Sequence, residues 1–284
     1  MVEANGLRFG TSVDGPPDGQ LAILLHGFPE GAEMWLRQIG ALAKAGYLAV
    51  APDLRGYGKT DAPEGVESYA IDHLVADVAA LIKAFGRTEA HVAGSDWGAL
   101  IAWYFASRHP EMTKTLTVLS VGHPAALAAA SAQDADQQQR SRYVGLFLAE
   151  GKAEHVLSDE NYRRLRAMFT MGPNPDAMPR SVVETFVKSL SRPGRLTAAL
   201  NYYRANLSGD SAWASLAPNE VKVSAPTTLL WGDQDPALGR RSAEDTASFM
   251  TGDYRLVVLE GAGHWLQFER ADEVSRTMVE AVTK

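Results

Sequence analysis

A glycine-flanked aspartate is the clearest candidate for chemistry in this sequence. Gly94-Ser95-Asp96-Trp97-Gly98 follows a short apolar run, Ala90–Ala93, and precedes a helical pattern that starts at Ala99. A glycine–x–nucleophile–x–glycine segment between a strand and a helix is typical of the nucleophile elbow, a sharp turn that presents the nucleophile to the substrate. Asp96 occupies the central position and Ser95 comes one residue early. We therefore identify Asp96 as the candidate nucleophile; the alternative is a glycine-rich turn with a helix-capping aspartate.

An aspartate in this position implies a particular reaction. A carboxylate is already ionised at neutral pH, so it needs no base before it attacks. It suits displacement at a saturated carbon that carries a leaving group, and the product is an alkyl ester of Asp96. Hydrolysis of that ester requires a base that activates water. The sequence should therefore contain a histidine that can reach Asp96.

His264 is the candidate base, because it follows directly after the predicted strand Tyr254–Leu259. An acid that orients this histidine is expected in the loop after an earlier strand. The segment after the predicted strand Thr227–Trp231 contains both Asp233 and Asp235, and spacing alone does not choose between them. Either aspartate could instead serve turn formation. The chain order nucleophile, acid, histidine is that of hydrolases with an elbow nucleophile.

Six short apolar runs predict the strands that would carry these residues. They are Leu21–Leu25, Tyr47–Ala51, Ala90–Ala93, Thr115–Val121, Thr227–Trp231 and Tyr254–Leu259. Amphipathic stretches lie between or after them, at Ile71–Phe85, Leu100–Ser107 and Glu273–Val282. Continuous apolar strands that alternate with helices indicate βαβ units, so we predict an α/β fold with a doubly wound, mostly parallel sheet.

The strand pattern is interrupted in the middle of the chain. From about residue 130 to about 215 only helical periodicity is present, at Tyr143–Glu150, Asn161–Phe169, Val182–Leu190 and Leu196–Leu207. We predict a core formed by residues 1–131 and 216–284, with an inserted helical cap at residues 132–215. The insert leaves the carboxyl end of the predicted fourth strand, where ligands bind in open α/β sheets, so it is expected to act as a lid.

Composition excludes several classes of function. The chain has 284 residues, of which 46% are hydrophobic and 21% charged, an ordinary globular balance. Its net charge of −7 disfavours nucleic-acid binding. It contains no cysteine, which excludes disulfides, thiolate metal sites and a cysteine nucleophile. No apolar run reaches the length of a membrane span and no secretory leader is recognisable, so we predict a cytoplasmic protein.

No cofactor is expected from the motifs. The other histidines lack the spacing of metal ligands, and no dinucleotide or phosphate-loop fingerprint is present. The sequence is compatible with a monomer or a homodimer.

The motifs together resemble the epoxide hydrolases of the α/β-hydrolase fold, which are related to the haloalkane dehalogenases. The resemblance covers nearly the whole chain. It rests on the elbow around Asp96, on Gly263-His264-Trp265, and on His26-Gly27-Phe28-Pro29-Glu30, Asp53-Leu54-Arg55-Gly56-Tyr57-Gly58 and Trp231-Gly232-Asp233-Gln234-Asp235. Ser95 departs from the pattern, because the family usually has a histidine there. We expect His26 to be structural.

The resemblance implies roles for further residues. The family acid is the fourth residue of G-x-x-D, which is Asp235 here. The family's oxyanion hole implies the backbone N–H groups of Phe28 and Trp97 as donors. Two lid tyrosines of the family, which hydrogen-bond and protonate the oxirane oxygen, correspond to Tyr203 in Asn201-Tyr202-Tyr203-Arg204 and, by a looser match, to Tyr143. Phe28, Trp97, Tyr143 and Tyr203 are also expected to contact the substrate.

The implied reaction opens an epoxide to a vicinal diol through an ester on Asp96, which water activated by His264 then hydrolyses. Its partners are a small epoxide and water. The alternative is a haloalkane dehalogenase with the same Asp-His-Asp set. The tyrosines favour the oxirane, because an alkoxide leaves poorly without a proton and a neutral phenol can donate one. A binding protein without catalysis would be expected to lack one of these side chains.

Overall fold

A seven-stranded sheet forms the centre of the molecule in a computed structural model that describes residues 1–207 and 222–283. Nine strands are present in these residues: β1 (Val2–Ala4), β2 (Leu7–Phe9), β3 (Thr11–Asp14), β4 (Leu21–Leu25), β5 (Leu48–Pro52), β6 (Ala90–Ser95), β7 (Thr113–Leu119), β8 (Thr227–Gly232) and β9 (Tyr254–Leu259). The sheet order is β3-β5-β4-β6-β7-β8-β9, and all neighbours except β3 and β5 pair in parallel. β1 and β2 form a separate hairpin.

Helices cover both faces of this sheet. The core helices are α1 (Leu36–Lys44), α2 (Ile71–Ala84) and α3 (Trp97–Arg108). Helix α1 packs against the carboxyl-terminal helix (Ala271–Thr283) on one face, and α2 packs against α3 on the other. Strands β4, β5, β6 and β8 are buried at every residue, as parallel strands covered on both faces must be. The prediction of a doubly wound, mostly parallel sheet is confirmed.

Two local predictions need correction. The stretch around Leu100–Ser107 was expected to be amphipathic, but α3 is buried at ten consecutive residues, from Trp97 to Ala106. A helix enclosed between the sheet and a neighbouring helix is apolar all round. β7 ends at Leu119 rather than Val121, because Ser120 has a φ of 68° and turns the chain out of the strand.

The segment between β7 and β8 is helical in the part that the structure describes. Its helices are α4 (Pro124–Gln133), α5 (Ala135–Arg140), α6 (Val144–Phe147), α7 (Lys152–Met168), α8 (Arg180–Leu190) and α9 (Arg195–Asn206). We call residues 124–206 the helical insert. α7 departs from helical geometry at residues 159–162. The predicted boundary between residues 215 and 216 lies outside the described residues.

The remaining described elements are short or flank the sheet. Two short helices, α10 (Arg240–Asp245) and α11 (Leu266–Glu269), follow β8 and β9, and α12 (Ala271–Thr283) ends the core. Among the described residues, no helix combines the length and apolar character that a membrane crossing requires. The cytoplasmic location and the choice between monomer and homodimer stay predictions.

Candidate active site

Asp96 lies at the turn between β6 and α3 with a φ of 51° and a ψ of −122°. A positive φ is strained for a residue with a side chain, and such strain concentrates at functional sites. The turn is tight: a Cβ on Gly94 would lie 2.1 Å from the carbonyl oxygen of Gly98, and one on Gly98 would lie 2.0 Å from that of Leu25. Both flanking glycines are therefore required by close backbone contact.

His264, in the loop after β9, connects two carboxylates. Its Nδ1 lies 2.7 Å from Oδ2 of Asp235, and its Nε2 lies 3.6 Å from Oδ2 of Asp96. The histidine side chain is buried, and Asp235 is completely buried. The structure thus brings together an aspartate, a histidine and a second aspartate that are far apart in the sequence.

The structure places Asp235, and not Asp233, beside the histidine. Oδ1 of Asp235 accepts hydrogen bonds from the backbone N–H groups of Ala237 and Leu238, at 2.8 and 3.0 Å. These bonds leave Oδ2 directed at His264. Oδ1 of Asp233 instead accepts the N–H of Gly261 at 2.7 Å, which is a contact between two loops.

The two carboxylates determine the charge of the histidine. Burial by itself lowers the pKa of His264, but the charge and hydrogen bond of Asp235, together with Asp96, outweigh it and raise that pKa well above its ordinary value. The imidazole is therefore protonated at neutral pH as long as Asp96 carries its negative charge.

One oxygen of Asp96 is held by the backbone of another loop. The N–H of Phe28, in the loop after β4, donates to Oδ1 of Asp96 at 2.7 Å. Trp97 is the first residue of α3, so its N–H is among the helix donors that have no acceptor within the helix. The role of Trp97 as a second donor stays a prediction.

The two tyrosines of the helical insert face Asp96 from the other side of a cavity. Tyr203 on α9 and Tyr143 before α6 lie with their ring centres 6.4 Å apart. Burial, with the charge of Asp96 adding to it, raises the pKa of each phenol. Both hydroxyls therefore keep their protons at neutral pH. Tyr202 is directed elsewhere, since its hydroxyl donates to the carbonyl oxygen of Arg55 at 2.8 Å.

A cavity of about 230 Å³ lies between the carboxyl edge of the sheet and the helical insert. Asp96, His264, Tyr143, Tyr203 and Phe28 all line it. The rest of its wall is mainly apolar and comes from Leu146, Phe147, Val156, Leu157, Met168, Met171, Pro236, Ala237 and Trp265, with Arg140 and Arg164. This arrangement suits a compact apolar ligand with one polar, reactive end.

A larger cleft, of about 750 Å³, lies at the opposite edge, where β6 to β9 begin. His91 lines it, but the ring nitrogens of His91 bond to Thr115 and Gln20, at 2.9 and 3.1 Å. Neither bond involves a carboxylate. Ligands of open parallel sheets bind at the carboxyl edge, so we assign the candidate site to the smaller cavity.

Two residues of the His-Gly-Phe-Pro-Glu segment show different kinds of buried polar group. His26 is structural, as expected: its Nδ1 donates to the carbonyl oxygen of Gly27, and its Nε2 accepts the N–H of Leu54. Glu30 received no role from the sequence. It is 1% exposed, and burial together with the charge of Asp96 raises its pKa to about 8. The only sequence signal for Glu30 is its position as the last residue of the His-Gly-Phe-Pro-Glu segment.

No group of three or more His, Asp or Glu side chains suited to a metal ion is present in residues 1–207 and 222–283.

Comparison with known proteins places the chain in a hydrolase fold family. A sequence model of the alpha/beta hydrolase fold matches residues 22–271. The chain is 34% identical over 280 residues to the AB hydrolase superfamily protein YfhM of Bacillus subtilis, with 99% of this chain and 96% of that protein covered. It is 33% identical over 318 residues to epoxide hydrolase A of Mycobacterium tuberculosis, with 100% and 96% covered.

Solved structures agree with these sequence matches. An epoxide hydrolase of Bacillus megaterium, crystallised with an inhibitor, superposes with a TM-score of 0.90 at 27% identity, covering 100% of this chain and 99% of that one. Epoxide hydrolase A of Mycobacterium thermoresistibile superposes with a TM-score of 0.86 at 31% identity, covering 99% and 97%.

The elbow predicts a large effect of one methyl group. We expect Gly98→Ala to lower the free energy of unfolding by more than about 3 kcal/mol, because the new Cβ would meet the carbonyl oxygen of Leu25 at 2.0 Å. Gly40→Ala is the matched control, since a Cβ at that helical position meets nothing within 4 Å; it should be neutral or stabilising by up to about 1 kcal/mol. Thermal and chemical denaturation check both, and equal stabilities would contradict the geometry.

Glu30 predicts a pH dependence of stability. Its carboxyl titrates at about 8 in the folded protein, whereas an unfolded glutamate titrates near about 4.3. The folded state therefore keeps a proton that the unfolded chain releases between these values. The free energy of unfolding should fall as pH rises through that window, by up to about 1.4 kcal/mol per pH unit from this group.

Glu30→Gln should remove that contribution. In denaturant titrations from about pH 5 to about pH 8, its stability relative to the wild type should increase with pH. Glu64→Gln, at an exposed position, is the control and should follow the wild type. Parallel curves for wild type and Glu30→Gln would mean that Glu30 is ionised in the fold.

Proposed function

The chain belongs to the α/β-hydrolase fold family, and we propose that it is an epoxide hydrolase that opens an oxirane to a vicinal diol. One observation carries the proposal: an elbow carboxylate and two protonated tyrosines line the same small apolar cavity. Relatives more than 30% identical over almost the whole chain are named epoxide hydrolases, which supports the same activity.

In the first half-reaction Asp96 attacks the oxirane. Because Oδ1 accepts the N–H of Phe28, we assign the attack to Oδ2. A bond forms between Oδ2 and one oxirane carbon, the bond from that carbon to the ring oxygen breaks, and the electron pair passes to that oxygen. Tyr203 and Tyr143 hydrogen-bond this oxygen, and one of them gives it a proton.

The second half-reaction uses His264 as the base. The carboxylate of Asp96 contributes to the raised pKa of His264. Ester formation removes that charge, so the pKa falls and the imidazolium gives its proton to the tyrosinate. The neutral imidazole can then accept a proton from water. The resulting hydroxide attacks the ester carbonyl, while Asp235 stabilises the imidazolium. We propose that the N–H groups of Phe28 and Trp97 stabilise the negative charge on the carbonyl oxygen.

The cycle then closes without a further reagent. The ester bond to the diol breaks and Asp96 is released as a carboxylate. The proton of the added hydroxyl passes to the departing diol oxygen. The proton that His264 took from water stays on the imidazole, because the restored charge of Asp96 raises its pKa again. Epoxide and water are consumed, and one diol is formed.

We propose that the helical insert forms the cap of this site, for which the sequence predicts residues 132–215. It supplies both tyrosines and much of the apolar wall. Since the cavity measures about 230 Å³, compact epoxides with an alkyl or aryl substituent are the favoured substrates.

A haloalkane dehalogenase would need the same Asp-His-Asp set but a different leaving-group site. A departing halide is stabilised by N–H donors and needs no proton. Two protonated phenols opposite the nucleophile favour an alkoxide leaving group instead.

The His264→Gln variant tests the covalent mechanism. Asp96 needs no base to attack, so the ester should form; water needs the base, so the ester should persist. With styrene oxide, intact mass should increase by one substrate, on a peptide that contains Asp96. His264→Gln combined with Asp96→Asn is the control and should show no adduct. A 1-haloalkane of similar size should give no adduct in His264→Gln; rapid alkylation by the haloalkane alone would favour the dehalogenase.

Adjacent tyrosines allow a matched test of the proton donor. Tyr203→Phe should slow ester formation by on the order of 100-fold and leave ester hydrolysis nearly unchanged. Tyr202→Phe removes a hydroxyl that bonds to Arg55 and should leave ester formation nearly unchanged. Single-turnover measurements resolve both steps. If the two variants slow ester formation equally, Tyr203 is not the donor.

A further inference from the structure

Glu269, at the end of α11, is bonded to the backbone on both sides of His264. Its Oε2 accepts the N–H of Gly263 at 2.7 Å, and its Oε1 accepts the N–H of Trp265 at 2.9 Å. The hydroxyl of Ser120 donates to the carbonyl oxygen of His264 itself at 3.0 Å. The peptide that carries the histidine is therefore held at three points.

A residue of the helical insert completes this clamp. Nδ2 of Asn174 donates to Oε2 of Glu269 at 2.7 Å and to the carbonyl oxygen of Gly261 at 2.8 Å. Asn174 lies between Pro173 and Pro175 in the connection from α7 to α8. A Cβ on Gly263 would lie 2.9 Å from Cδ of Pro173, so this connection packs directly on the histidine loop.

We propose that Glu269 and Asn174 are positioning residues for His264. Glu269 fixes the loop backbone, and Asn174 fixes Glu269 while linking the helical insert to the base. The inference rests on the proposed function, in which His264 activates water. Neither side chain touches the reacting atoms; they act through the histidine.

Weakening this clamp should affect the second half-reaction, ester hydrolysis, which needs His264. His264 must keep Nδ1 against Asp235 while Nε2 faces the ester of Asp96. A displacement of about 1 Å in a catalytic group can cost on the order of 100-fold in rate. Attack by Asp96 on the epoxide needs no base, so loosening the loop should slow ester hydrolysis and spare ester formation.

Glu269→Gln and Asn174→Ala test the inference. In Glu269→Gln the side chain has one acceptor oxygen instead of two, so it can accept only one of the two N–H groups of Gly263 and Trp265 in the present geometry. Asn174→Ala removes two hydrogen bonds but keeps both bonds from Glu269 to the loop. Glu260→Gln is the matched control, because it neutralises an exposed carboxylate in the same loop.

Single-turnover kinetics with styrene oxide give both rates for each variant. Ester hydrolysis should slow by about 10-fold to 100-fold in Glu269→Gln and by less in Asn174→Ala, while ester formation stays within about twofold of the wild type. Intact mass should then show ester accumulating on Asp96 during turnover. Glu260→Gln should match the wild type in both steps. A purely structural defect would reduce the folded fraction without changing the ratio of the two rates in the folded enzyme.

An unchanged ratio in Glu269→Gln would overturn the inference for Glu269, and an unchanged ratio in Asn174→Ala would overturn it for Asn174. If Glu269→Gln does not fold, Asn174→Ala decides the proposal as a whole. A wild-type enzyme that forms no ester on Asp96 would instead refute the proposed function, so the two failures are distinguishable.

Discussion

The strained backbone of Asp96 is the constraint on which the site depends. A φ of 51° between two closely packed glycines turns the chain from β6 into α3 and leaves the carboxylate at the carboxyl edge of the sheet. The loops after β4, β8 and β9 end at the same edge, because all these strands are parallel. Phe28, Asp235 and His264 therefore meet Asp96 although the sequence separates them widely.

Charge links the two halves of the proposed reaction. The imidazole of His264 lies between the carboxylates of Asp235 and Asp96, and these raise its pKa. Forming the ester neutralises one of the two, so the base becomes available when an ester exists to be hydrolysed. Burial, together with the charge of Asp96, raises the pKa of Glu30 to about 8, so Glu30 adds no negative charge to the site below that pH. The histidine loop is then held in place by Glu269.

Local sequence patterns were sufficient to predict most strands and helices of the repeated βαβ units. Runs such as Leu21–Leu25 are buried on both faces and read as strands without any knowledge of their partners. The hairpin of β1 and β2 escaped prediction because each strand has three residues and no continuous apolar run. Asp233 and Asp235 follow the same strand, and only their contacts in three dimensions distinguish them: Asp235 bonds to His264, whereas Asp233 accepts the N–H of Gly261. The bond from Asn174 to Glu269 spans 95 residues and leaves no local signal.

The origin of the oxygen added to the diol tests the covalent account most directly. A single turnover of excess enzyme in H₂¹⁸O, with peptide mass analysis, locates the label. If Asp96 attacks the epoxide and water attacks the ester carbonyl, the first diol carries no label and the peptide containing Asp96 gains one ¹⁸O. A labelled diol with an unlabelled Asp96 peptide would show that water attacks the epoxide directly, and would contradict the account.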